Sequence, residues 1–96
     1  MIDPDEREIT ADGDIDLPVI RGHEYHIALS GNFGGGTVSV RHLTRNEPQT
    51  FKEYDDNGSH TSEGEAIFMA TSKRIRINVS GSTTPSIIVR YGKVAV

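Results

Sequence analysis

The 96-residue chain contains no cysteine and no tryptophan. Without cysteine there is no disulfide framework, no thiolate zinc site and no thiol nucleophile, and the redox compartment is left open. Aromatic residues supply 6% of the chain and apolar residues 34%, so no large aromatic centre compensates for the small core that a chain of this length buries. Oligomerisation is the remaining staple. No stretch approaches the roughly 18 apolar residues of a membrane span. Residues 1–8 are acidic and lack the basic start and apolar run of a signal peptide. The expectation is a soluble chain without a secretion signal or a membrane partner.

Positive charge is also in deficit: 10 Lys and Arg against 14 Asp and Glu leave a net charge of −4, which argues against generic nucleic-acid binding. The distribution is uneven. Acids crowd residues 3–16, whereas Arg74, Arg76, Arg90 and Lys93 lie late. Asn57-Gly58-Ser59 and Asn78-Val79-Ser80 match the glycosylation sequon, but without a secretion signal neither is expected to be used.

What the chain has in abundance is alternation of period two. Tyr25, Ile27 and Leu29 alternate with His26 and Ala28, and Ile75, Ile77 and Val79 alternate with Arg74, Arg76 and Asn78, as half-buried strands require. Further strands are predicted over residues 14–20, 37–43, 49–54, 65–70 and 86–91, each bounded by Gly, Pro, Asn or Ser. Residues 65–72 carry a helical alternative on propensity alone.

Sliding the chain against itself aligns Thr10-Ala11-Asp12-Gly13-Asp14 with Thr61-Ser62-Glu63-Gly64-Glu65, Ser30-Gly31 with Ser80-Gly81, and Val40-Arg41 with Val89-Arg90. The apolar positions follow: Ile15, Leu17 and Val19 match Ala66, Phe68 and Ala70, and Tyr25, Ile27 and Leu29 match Ile75, Ile77 and Val79. Similar turns between β-strands offer the alternative that composition alone makes these segments look alike. On the duplication reading, residues 1–96 form a single all-β domain with a pseudo-repeat over 10–43 and 61–93 and a crossover over 44–60. Each half is then a three-stranded meander. The expected architecture is a small antiparallel β-sandwich or flattened barrel of roughly seven or eight strands.

If each half closes as a hairpin, Val79 faces Ile87, Ile77 faces Val89 and Ile75 faces Tyr91, all pointing inward. Arg74, Arg76, Asn78, Ile88 and Arg90 then point outward, with Arg76 opposite Arg90, an unfavourable pairing unless an anion intervenes. The first half, with Leu29 facing Val38 and Ile27 facing Val40, sets His26 opposite Arg41. Such a face is either solvated, its guanidinium groups meeting carboxylates of the chain, or a contact with an acidic neighbouring subunit or another anion. Exposed Ile88 among the arginines favours contact. Phe33 sits in the loop Gly31-Asn32-Phe33-Gly34-Gly35-Gly36 and either folds back over the sheet edge or inserts into a partner. Phe33, Arg74, Arg76, Ile88 and Arg90 are the candidate partner-binding residues.

Chemistry finds little support. Asp12-Gly13-Asp14-Ile15-Asp16 begins like a calcium loop, but Leu17 replaces the turn glycine and His23 stands where the bidentate Glu belongs, so no metal site is assigned; weak surface calcium binding by Asp14 and Asp16 stays open beside a plain acidic edge. His23 and His26 differ by an odd number along a strand and face opposite sides, which makes them poor joint zinc ligands. The Gly-rich loop lacks the Lys-Ser/Thr ending and following helix of a phosphate-binding loop. Ser59-His60 has no defined orienting acid or oxyanion hole. The reading is of a non-enzymatic chain with no cofactor and no catalytic residues.

Gly13-Asp14 and Gly64-Glu65, the strand Tyr25 to Gly31, the segment Asn32-Phe33-Gly34-Gly35-Gly36-Thr37-Val38-Ser39-Val40, and the late Arg76-Ile77-Asn78-Val79-Ser80-Gly81 with Ile88-Val89-Arg90 together resemble small β proteins encoded among phage and prophage structural genes. The resemblance covers residues 10–93. It implies a virion component, such as a capsid decoration or head-tail accessory protein, assembled in the host cytoplasm. Its expected partners are further copies of itself and another virion protein. A carbohydrate- or surface-binding β module is the alternative, weakened by the absence of Trp and by the predicted inward positions of Tyr25 and Tyr91.

Overall fold

The structure, a computed structural model, describes residues 5–44 and 49–94. The alternating segments all form strands: β1 (Glu6–Ile9), β2 (Gly13–Pro18), β3 (Glu24–Asn32), β4 (Thr37–Leu43), β5 (Phe51–Glu53), β6 (Ser59–His60), β7 (Gly64–Met69), β8 (Arg74–Ser80) and β9 (Ser86–Lys93). Residues 65–69, where helix was the alternative, lie in β7. Short β1 and β6 carry too little alternation to be legible in the sequence.

Two antiparallel sheets result, one ordered β1-β9-β3-β7 and the other β2-β8-β4-β5, with β6 also pairing with β4. They form a β-sandwich. Its core is built from the inward residues of both sheets, Ile9, Tyr25, Ile27, Leu29, Phe68, Ile87 and Val89 from one, and Leu17, Val38, Val40, Ile75, Ile77 and Val79 from the other. Burying these apolar side chains on one face of each strand is what drives the two sheets together.

The meanders expected within each half do not form. β3 and β4 lie in different sheets, as do β8 and β9. Val79 pairs with Val38 and Gly13, and Ile77 with Val40 and Ile15, instead of facing Ile87 and Val89. The connections are arches that carry the chain from one sheet to the other. The first bends through positive φ at Gly31 (101°), Gly34 (61°) and Gly35 (77°), and the second through Gly81 (68°) and Thr84 (44°). The two arches also lock together. The Thr83 N–H donates to the Gly34 carbonyl at 2.9 Å, and a Cβ at Gly31 or Gly34 would collide with the carbonyl oxygens of Ser86 and Thr83. Glycine is needed at both positions for that close approach.

Each half therefore places its middle strand between outer strands of the other: β2-β8-β4 in one sheet, β7-β3-β9 in the other. Gly13, Ile15 and Leu17 pair with Val79, Ile77 and Ile75, and Gly64, Ala66 and Phe68 pair with Leu29, Ile27 and Tyr25, the same register at the aligned positions. The third strands depart from the sequence alignment. Val38 pairs with Val79, and Val89 rather than Ile87 takes the corresponding place opposite Leu29. The offset is two residues, which leaves every side chain on its original face and so is invisible to an alternation pattern.

Candidate interaction surfaces

The arches separate residues that direct hairpins would have grouped. Arg74 and Arg76 project from the outer face of the β2-β8-β4 sheet, while Ile88 and Arg90 project from the outer face of the other. Arg76 and Arg90 therefore do not oppose one another, and the single basic patch predicted from the sequence is not formed. Phe33 takes the folded-back alternative: it is 5% exposed and belongs to the core cluster.

On the first of these faces Arg76 lies between Arg41 of β4 and Asp16 of β2. Like charges in neighbouring strands repel unless neutralised. Asp16 supplies the neutralisation, accepting from Arg76 Nε at 2.9 Å and Nη2 at 3.3 Å, and from Arg74 Nη1 at 3.5 Å. The guanidinium also stands 3.9 Å over the Phe51 ring, a cation–π contact. Arg41 donates through Nε to Ser39 Oγ at 3.0 Å, and Ser39 donates to Glu53 at 2.7 Å. The Arg76 hydrogen bond, ahead of the charges of Arg76 and Arg74, holds the Asp16 carboxyl below its ordinary value against the opposing effect of burial. Asp14 accepts from Asn78 Nδ2 at 2.6 Å. The carboxylates considered for calcium are thus engaged by β8, and the described residues contain no group of three or more ligating side chains able to hold a metal.

The outer face of the other sheet has a floor of small side chains. Ala28 pairs with Arg90, and Gly92 with His26, leaving a shallow depression bordered by Glu6, His26, Arg90 and Lys93. Arg90 Nε lies 2.6 Å from Glu6 Oε1, and His26 Nε2 lies 3.5 Å from Glu65 Oε1. Ile88 is half-buried between Glu8 and Ser30. His60 contacts the Asn57 carbonyl at 2.6 Å, a backbone partner rather than the orienting acid that a Ser59-His60 catalytic pair would need.

The sheet edges, which sequence reasoning did not single out, differ most. Exposed edges are commonly guarded by charge, proline or shortness. β2 bears Asp14, Asp16 and Pro18; β1 has four residues, with Glu6, Arg7 and Glu8 among them; β5 and β6 are short. β7 is six residues long with Glu65 as its one charge, and it exposes Ile67 by 54% and Met69 by 46%. It stands where β2 stands in the other sheet, yet carries Ala66 and Phe68 inward and Ile67 outward in place of the acidic guard.

Fold and surface define the class as a small antiparallel β-sandwich with one weakly guarded edge. The chain matches no protein-family model, no curated protein and no solved structure. No helix among the described residues is long and apolar enough to cross a membrane.

Proposed function

We propose that the protein is a non-enzymatic structural or assembly component acting in several identical copies, as a virion part such as a capsid decoration or head-tail accessory protein. The observation that carries the assembly reading is the edge strand β7, where two large apolar side chains are exposed on a strand with one charge and no proline, against the two carboxylates and the proline of β2. The virion assignment is supported by the sequence resemblance over residues 10–93. The small core adds weight, because burial between subunits supplies stabilisation that a chain of this size has little room to supply internally.

The carbohydrate-binding alternative draws no support from the aromatic residues. All six are buried or half-buried, so none offers the exposed stacking platform that sugars use.

Light scattering on the purified protein across a dilution series tests assembly: a mass at a multiple of the single chain is expected, and a strict monomer overturns it. For the virion assignment, the chain should co-sediment with particles released from its host. Recovery in the supernatant alone would overturn that part.

A further inference from the structure

We propose that β7 is the subunit interface: it pairs antiparallel with β7 of a second copy, with Ile67 on the two-fold axis, merging two four-stranded sheets into one. This rests on the assembly reading above and names its surface.

The backbone supplies the first argument. Ala70 donates its N–H to the His23 carbonyl at 2.9 Å, so the antiparallel alternation turns the N–H and C=O groups of Gly64, Ala66 and Phe68 toward β3. Those of Glu65, Ile67 and Met69 then point to the open side. The Tyr54 hydroxyl confirms that direction, reaching the Met69 carbonyl from outside at 2.5 Å. Among the described residues no hydrogen bond reaches the backbone of Glu65 or Ile67. With Ile67 on the axis, the two Ile67 residues exchange both hydrogen bonds, and Glu65 pairs with Met69 of the second copy, whose carbonyl retains a second lone pair beside the Tyr54 bond.

Length and charge decide between occupants: β5 and β6 offer three and two residues, too few to cover β7, and the other two edges are acidic. Pairing β7 with β2 of another copy would bring Glu65 toward Asp14 and Asp16, and pairing it with β1 would bring Glu65 toward Glu6 and Glu8. Self-pairing about Ile67 sets Glu65 against Met69 and keeps the two Glu65 side chains four positions apart. It also places Ile67 against Ile67 on the outer face and Ala66 against Phe68 on the inner one. Isologous contacts of this kind close as dimers.

The experiment compares wild type with Ile67→Lys and Ile67→Pro by light scattering, with near-ultraviolet circular dichroism reporting the fold. The Ile67 N–H takes no part in pairing with β3, so proline there blocks the open edge while sparing the existing ladder. A wild-type dimer that becomes a folded monomer, its mass halved, in both variants is the expected result. If both keep the wild-type mass, the β7 interface is overturned while the assembly reading stands. A wild-type monomer at every concentration overturns both. Should the variants unfold, Ile67→Cys in this cysteine-free chain decides. Paired residues about 5.5 Å apart suit a disulfide, so it should cross-link at least about tenfold faster than Ile20→Cys, a position 56% exposed away from β7. Equal rates overturn the proposal.

Discussion

The arch topology assigns Arg76 to Asp16 and separates it from Arg90, a distinction that a double-mutant cycle measures directly. The perturbations are Asp16→Asn, Arg76→Gln and the pair, set beside Arg76→Gln with Arg90→Gln. Asp16 and Arg76 form two hydrogen bonds, at 2.9 and 3.3 Å, and each side chain retains 28% exposure. Bidentate charge-assisted geometry places the coupling at the upper end of the range for surface pairs, about 1 kcal/mol, with solvent keeping it from rising further. That is about 4–8 °C in Tm for a domain of this size, well within reach of urea or thermal unfolding. Among the described residues Arg76 and Arg90 share no partner, so their effects should add to within about 0.3–0.5 kcal/mol. The Asp16 coupling also has a defined pH window. Because its carboxyl titrates lower in the folded chain than unfolded, its stabilisation is present above the ordinary carboxylate range and is lost as pH falls through the folded value. An Asp16–Arg76 coupling indistinguishable from zero at neutral pH would refute the assignment. So would an Arg76–Arg90 coupling of the opposite sign, since relief of directly opposed charges is what a simple hairpin would give.

Phe33→Ala should cost about 3–5 kcal/mol in thermal unfolding, because a side chain 5% exposed leaves a cavity; an unchanged Tm would mean that Phe33 is a loop-tip residue after all. At Gly58, a Cβ would meet the Tyr54 carbonyl oxygen and the Glu53 side chain, while Gly58 itself supplies the carbonyl that binds the Val40 N–H at 2.7 Å. Gly58→Ala should therefore cost about 1–3 kcal/mol, whereas Gly92→Ala, with no atom within 4 Å of the new methyl, should stay within about 0.5 kcal/mol. Similar urea midpoints for the two variants would contradict the packing at Gly58. Burial pushes the Tyr54 hydroxyl up to about 12 and raises that of Tyr91 as well, so an alkaline absorbance titration should show a late phenolate component that Tyr54→Phe reduces. The unfolded chain ionises near the ordinary value of about 10. Stability should accordingly fall as pH rises from about 10 toward 12, more steeply in wild type than in Tyr54→Phe; equal slopes for the two would count against it.

Much of this architecture is written along the chain. The alternation of Ile75, Ile77 and Val79 with Arg74, Arg76 and Asn78 states which side chains face the core, and burial follows it residue by residue. The match of Gly13, Ile15 and Leu17 with Gly64, Ala66 and Phe68 also anticipates a shared register against the middle strands. What alternation does not carry is the identity of a neighbour. An inward-facing strand satisfies its apolar side equally well beside the next strand in sequence or across the sandwich, and a glycine-rich turn serves a hairpin or an arch. A shift of two residues, such as that separating Val89 from its aligned position, preserves the face and leaves no trace in the pattern.

The interaction surface depends on those undetermined choices. Arg76 and Arg90 occupy similar outward positions in consecutive strands, yet the arch between β8 and β9 sends them to opposite faces, and carboxylates from β2 and β1 meet them there. Phe33 reads as a loop tip until the interlocked arches fold it inward. Ile67 and Met69 gain their meaning from β7 being last in its sheet, because an edge is a property of strand order. Composition and alternation thus determined an all-β fold with a small core, a sandwich or a flattened barrel, since local side-chain chemistry fixes strands and their inward faces. Tertiary structure alone decided which charges are neutralised and which edge stays open, since both depend on contacts between segments distant along the chain.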